Sequence, residues 1–219
     1  MPVLKPSIEE IKMPSNAFLN LERRMRDIDQ LLDAHKALTQ FNRARRAAQS
    51  TGGGLANVAQ IVQTLVSNPG RGRPTEVDAL NRSAIVLLSA HLQGYIEEVF
   101  DESARKLLSG HVHNIDAFIE TALSGFSNPQ PFRIDKLFAF IGFSNIMSEL
   151  SWRRTSNSSV KRRLREYIKI RNAVAHGRQE RVTKRKVEAF RRFVQIFART
   201  LDQVLENKIG QVLGEPPWP

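Results

Sequence analysis

The chain has 219 residues, no cysteine, 33 Lys/Arg against 22 Asp/Glu, and a formal net charge of +11. That length suits one well-buried core, with or without an appendage, and 41% hydrophobic with 25% charged residues is ordinary for a globular protein in water. The missing cysteines exclude disulfides, thiolate metal sites and cysteine nucleophiles; no apolar run is longer than Ala84–Leu88, which excludes a membrane span, and with no apolar signal segment at Met1–Ser7 the expected compartment is a reducing cytoplasm. From the N-terminus, Ser15 caps a predicted helix reaching about residue 48. Along it Phe18, Leu21, Met25, Ile28, Leu32, His35 and Leu38 form one apolar stripe in steps of three and four. Gln49–Gly54 breaks it, a shorter helix spans Leu55–Ser67, and Asn68–Pro74 is a basic loop rich in Gly and Pro. Thr75 caps a second long helix to about Leu108, with Asp78 as a weak capping-box partner. Its centre, Ser83–Leu92, is apolar on nearly every face, which marks it as the core helix. Gly110 ends it. Short helices follow at 114–124 and 132–142, separated by Ser127–Pro131, and residues 151–159 read as a polar loop. A helix over 159–175 carries Val160, Leu164, Tyr167 and Ile168. Thr183 caps the last helix, to about Lys208, where Val187, Phe190, Val194, Phe197, Leu201 and Val204 repeat as three-four-three-four-three. That stripe suits packing either inside the bundle or across a dimer. No strand pair or internal repeat emerges, so the expected fold is an all-α helical bundle. Its expected parts are an N-terminal helical segment (1–74), a helical core (75–209) and a flexible tail (210–219).

The chemistry-bearing stretch is Ile170-Arg171-Asn172-Ala173-Val174-Ala175-His176-Gly177. An imidazole moves protons near neutral pH, and a guanidinium holds a phosphate in fork geometry. On a regular helix, five positions turn about 500°, leaving Arg171 and His176 about 140° apart. Gly177 marks a helix stop directly after His176, where the backbone dipole favours a protonated ring. Asn172 is placed to bond a phosphate, the arginine or a free carbonyl. The structural alternatives are a helix-ending His176 bonded to a carbonyl, and an ion pair between Arg171 and Glu97 or Glu98.

Charge is concentrated around this stretch. Residues 151–200 hold sixteen Lys/Arg against three Glu, a net +13, and the seventeen basic and nineteen acidic residues elsewhere leave −2. A polyanion is the expected partner, because neutralised phosphates release counterions.

Arg171, a polar residue, three further positions and His176 form a signature that resembles the HEPN superfamily, and Arg-Asn-Ala-Val-Ala-His-Gly is most similar to its RiboL-PSP-HEPN branch. The helix Arg82–Glu102, the Asn128-Pro129 turn, the segment Lys136–Gly142 and Trp152 fall in the order the family shows, so the resemblance covers roughly residues 76–205. It implies a HEPN-like helical bundle, here with an additional long N-terminal helix. It also implies a homodimer in which two motifs face each other across a basic groove, and metal-independent cleavage of RNA to 2′,3′-cyclic phosphate and 5′-hydroxyl ends. His176 would serve as proton acceptor or donor, Arg171 would neutralise the crowded phosphate, and Asn172 would assist. Lys169, Arg178, Lys184, Arg185 and Lys186 are the candidates to guide RNA. No cofactor and no metal are expected. A toxin or antiviral effector, with an antitoxin or defence-system partner, is the role such a ribonuclease suggests; the rival is a non-catalytic module that binds nucleic acid or a partner protein.

Other signals point elsewhere. His111-Val112-His113 with Asp116 and Glu120 has the residue types of a metal site, but its place after Gly110 fits loop histidines. Arg71-Gly72-Arg73-Pro74 resembles the core of an AT-hook in a single copy, before a helix start that explains Pro74. Gly52–Gly54 lacks the Gly-Lys-Ser/Thr of a phosphate loop. His35 and His91 lie in helical stripes as packing residues. Gly-x-Ser-x-Gly and His-Glu-x-x-His are both missing, and Glu97 and Glu98 are adjacent and diverge on a helix.

Overall fold

The computed structural model describes residues 14–51 and 75–218. The short helix expected at 55–67, the glycines 52–54 and the loop 68–74 lie outside the described residues. Among the described residues there are six α-helices: α1 (Asn16–Thr51), α2 (Thr75–Leu108), α3 (Ile115–Ser124), α4 (Pro131–Ala139), α5 (Asn157–Ala175) and α6 (Lys184–Leu213), with a 3₁₀ turn at Ile146–Ser148 between α4 and α5. Among the described residues there is no named strand, only an isolated bridge between Trp152 and Thr155. No helix among them is long and apolar enough to cross a membrane.

The architecture is the expected all-α helical bundle, with the additional long N-terminal helix α1. Helix α2 touches each of the other five helices, and Ile85, Leu88, Leu92, Tyr95, Ile96, Val99 and Phe100 are all sealed from solvent. A helix that is apolar on most faces has to be surrounded, and α2 is. The α1 stripe meets the same core through Phe18, Leu21, Met25 and Ile28; from Leu32 onward it is only half-buried. The α6 stripe packs within one chain: Val187, Phe190, Val194, Phe197 and Leu201 are all buried without a partner copy, and Val204 is half-buried. This corrects the option of a dimer zipper along that stripe, because α6 already packs on α2 and α1 and on the Tyr167 ring of α5. Aromatic rings lock α5 onto α6, with Tyr167 stacked on Phe190 at 4.1 Å and Phe193 contacting Tyr167, Trp152 and Phe197.

The start of α1 is fastened by two acids far away in sequence. Ser15 is the expected N-cap, its Oγ accepting from Phe18 N–H at 3.1 Å. Asp202 of α6 accepts from Ser15 N–H at 3.0 Å and from the Ser15 hydroxyl. Glu102 of α2 accepts from Asn16 N–H at 3.1 Å and Ala17 N–H at 2.6 Å. These contacts satisfy the donors that a helix start leaves open, and both carboxylates face its positive end. Burial nevertheless raises the carboxyls of Asp202 and Glu102 above their ordinary values, and burial followed by the Asp202 charge raises the Tyr95 hydroxyl. A raised carboxyl binds protons more readily in the folded chain. The contribution of this pair is therefore greatest below the ordinary values of 3.8 and 4.5 and declines as pH rises through the raised ones. Asp202→Ala leaves both Ser15 donors unpaired inside the protein and is expected to cost about 2–3 kcal/mol, read as a lower denaturation midpoint at neutral pH.

Several boundaries differ from expectation. Helix α4 begins at Pro131 and stops at Ala139, because residues 140–142 form a turn closed by Gly142 with φ +88°. Helix α5 begins at Asn157 because Ser156 caps it, two residues earlier than expected. Residues 210–213, expected in the flexible tail, continue α6, which ends at Gly214 with φ +77°. The chain then turns back, Pro217 packs near Gly210, and Trp218 is buried in the main core.

Candidate functional site

The aromatic contacts that hold α5 set the position of its last two turns. Val160, Leu164, Tyr167 and Ile168 face the core, which leaves Arg165, Lys169, Asn172, Ala173 and His176 along the opposite, solvent-facing side. The helix is regular to Ala175 and closes with a Schellman motif. Gly177 N–H donates to the Val174 carbonyl at 3.0 Å and Arg178 N–H to the Ala173 carbonyl at 2.9 Å. Gly177 takes φ +72°, the left-handed conformation this closure needs and side chains resist. His176 is therefore the C-cap of α5, and its imidazole is exposed.

His176 lies in a cavity of about 730 Å³ whose lining includes Asn172, Lys169, Arg178, Lys186 and Gln130. Arg171 is not part of that lining. Arg171 lies about 140° round the regular helix from His176 and is half-buried. Asn172 bridges them: its side chain lines the His176 cavity, and its Oδ1 accepts from Arg171 Nη1 at 3.1 Å. Arg171 Nη1 also donates to Asn128 Oδ1 at 3.0 Å. Asn128 holds φ +56° in the turn before α4, a conformation asparagine tolerates better than most side chains.

The expected alternative pairing of Arg171 with Glu97 or Glu98 does not occur. Glu98 pairs with Arg24 across the α1–α2 contact, and Glu97 accepts from Gln93 Nε2 at 2.8 Å. The partners of Arg171 are thus two neutral amide oxygens, and no carboxylate offsets its charge among the described residues. That is the electrostatic state an anion-binding guanidinium requires. The sequence does not show the part played by Asn128; an Asn-Pro turn signals geometry, not a partner 43 positions away.

The five residues proposed to guide RNA divide into two groups. Lys169, Arg178 and Lys186 line the His176 cavity, with Lys186 3.9 Å from Glu180 on its rim. Lys184 and Arg185 lie outside it; Lys184 approaches Glu188 at 3.8 Å and Arg185 is exposed. The other histidines behave as packing or loop residues. His91 is buried and its basicity is lowered by that burial, which outweighs the Asp27 carboxylate 3.3 Å away. His111 and His113 are exposed, Asp116 beside them is taken by Arg105 at 2.7 Å, and no cluster suited to a metal ion occurs among the described residues.

No curated protein and no solved structure matches the chain at a significant level. The family model described as RiboL-PSP-HEPN matches residues 55–207, which takes in α2 through most of α6 together with the motif. With that match across most of its length, and with an all-helical fold that closes α5 on Arg171-Asn172 and His176, the chain belongs to the RiboL-PSP-HEPN family.

Proposed function

We propose that this protein is a metal-independent endoribonuclease, acting as a toxin or antiviral effector. The observation that carries the reading is an exposed imidazole at a helix end, in a cavity lined by four Lys/Arg and two Glu, one side chain away from a guanidinium held only by neutral amides. In such a site the 2′-oxygen of a ribose attacks the adjacent phosphorus while a base takes its proton. The bond from phosphorus to O5′ breaks as an acid protonates the leaving oxygen, giving a 2′,3′-cyclic phosphate and a 5′-hydroxyl. His176 has the chemistry for either proton transfer. Arg171 supplies charge to the equatorial oxygens, where negative charge builds up.

Two proton transfers occur on opposite sides of phosphorus, and one chain offers one motif histidine. A second copy, facing the first across the basic side of α5, supplies the other imidazole. The same copy brings a second Arg171 to the reacting phosphate, which matters because Arg171 and His176 do not line one cavity within a chain. That separation also favours the second reading, a module that binds nucleic acid or a partner protein without cutting. The two readings part on one experiment. Single-stranded RNA incubated with the pure protein in EDTA is expected to yield fragments whose masses carry a cyclic phosphate at one end and a hydroxyl at the other. Intact RNA, a need for divalent ions, or 5′-phosphate ends would overturn the ribonuclease reading.

A further inference from the structure

The loop after His176 stands as a wall between two cavities. Its start is fixed by the bond from Arg178 N–H to the Ala173 carbonyl. Its end is fixed by buried Val182, whose carbonyl accepts from Nδ2 of buried Asn81 on α2 at 3.0 Å. On one face of the wall is the His176 cavity. On the other, between the loop and α2, is a second cavity of about 630 Å³, lined in part by Asp78 and Arg82 of α2 and by Arg178, Glu180 and Arg181 of the loop. Arg178 and Glu180 line both.

The charges of this second cavity are unevenly committed. Glu180 approaches Lys186 from the His176 side, and Asp78 is engaged in an interaction of its own. Among the described residues no ion pair engages Arg82, Arg178 or Arg181, so three guanidiniums border an open cavity next door to the proposed cleavage site. Guanidiniums in that number suit a phosphate, which accepts their forked donors.

We propose that this cavity is a phosphate subsite for the nucleotide flanking the scissile bond of single-stranded RNA. The assignment rests on the ribonuclease reading for its substrate, but not for its test. Arg181 is exposed and Arg82 half-buried, so Arg181→Ala alone and Arg82→Ala with Arg181→Ala are both suitable variants. A fluorescent octaribonucleotide fully 2′-O-methylated cannot be cleaved, and its affinity for the full chain can be followed against salt. The double variant is expected to bind about tenfold more weakly, the equivalent of one charge-assisted contact. Its slope of log affinity against log salt should be shallower by about 0.7, the value for one phosphate of a single strand. Arg181→Ala should move both readouts in the same direction by a smaller amount. With cleavable RNA, the preference in kcat/KM for an octanucleotide over a dinucleotide, which has no flanking phosphate, should shrink through KM. Unchanged affinity and slope in the double variant would overturn the subsite. Weakened binding by a protein that cuts neither substrate would keep the subsite and remove the ribonuclease reading.

Discussion

His176→Ala is expected to lower the rate of RNA cleavage by about two to four orders of magnitude, the span general acid–base catalysis supplies. The same change should barely affect folding. The imidazole is exposed, the backbone at His176 has φ −88° and ψ 17°, and alanine adopts that conformation without strain. The Schellman bonds come from the backbone of Gly177 and Arg178 and survive the substitution. A loss of stability within about 0.5 kcal/mol is therefore expected. Cleavage assays beside thermal melts separate the outcomes: full activity in the variant would remove His176 from the chemistry, and a collapsed melting temperature would make it a structural cap.

Arg171→Ala should lower kcat by about two to three orders of magnitude, as removal of one donor to a transition-state oxyanion does elsewhere. Lysine should not restore it, because a single ammonium lacks the planar fork and cannot reach Asn128 and the phosphate together. Asn128→Asp is the sharper probe. It keeps the size of the side chain and its tolerance of φ +56°, yet sets a carboxylate where a neutral amide now accepts from Arg171 at 3.0 Å. The ion pair so formed should hold or raise the denaturation midpoint while kcat/KM for RNA falls about tenfold, since the guanidinium's charge is then spent inside the protein. A variant that loses stability and activity together would instead make the Arg171–Asn128 contact a purely structural link.

The residues divide cleanly between what was legible in sequence and what was not. Ser15 and Thr183 act as the caps expected of them, and the stripe Val187 to Leu201 is buried as its spacing required. Gly177 stops α5 as a glycine after the last helical turn should. Each is a local rule, decided by residues within one or two turns. The misses are contacts between distant residues. Nothing near Asp202 indicates that it will hold Ser15, 187 positions earlier. Nothing near Asn128 indicates Arg171, and nothing in Gly-Glu-Pro-Pro-Trp shows that Trp218 will find the core. The side of α5 on which Arg171 falls was computable from helix geometry; that Asn172 would bridge it to the His176 cavity needed coordinates.

The carboxyls of Asp202 and Glu102 also tie the family-matched helices to a helix outside that match. The family match begins at residue 55, so α1 lies wholly outside it. Shortening the chain to the matched residues would nonetheless strip Phe18, Leu21, Met25 and Ile28 from the interior and strand Asp202 and Glu102 without the amides they serve. The matched helices thus close their core around a helix that the family match leaves out.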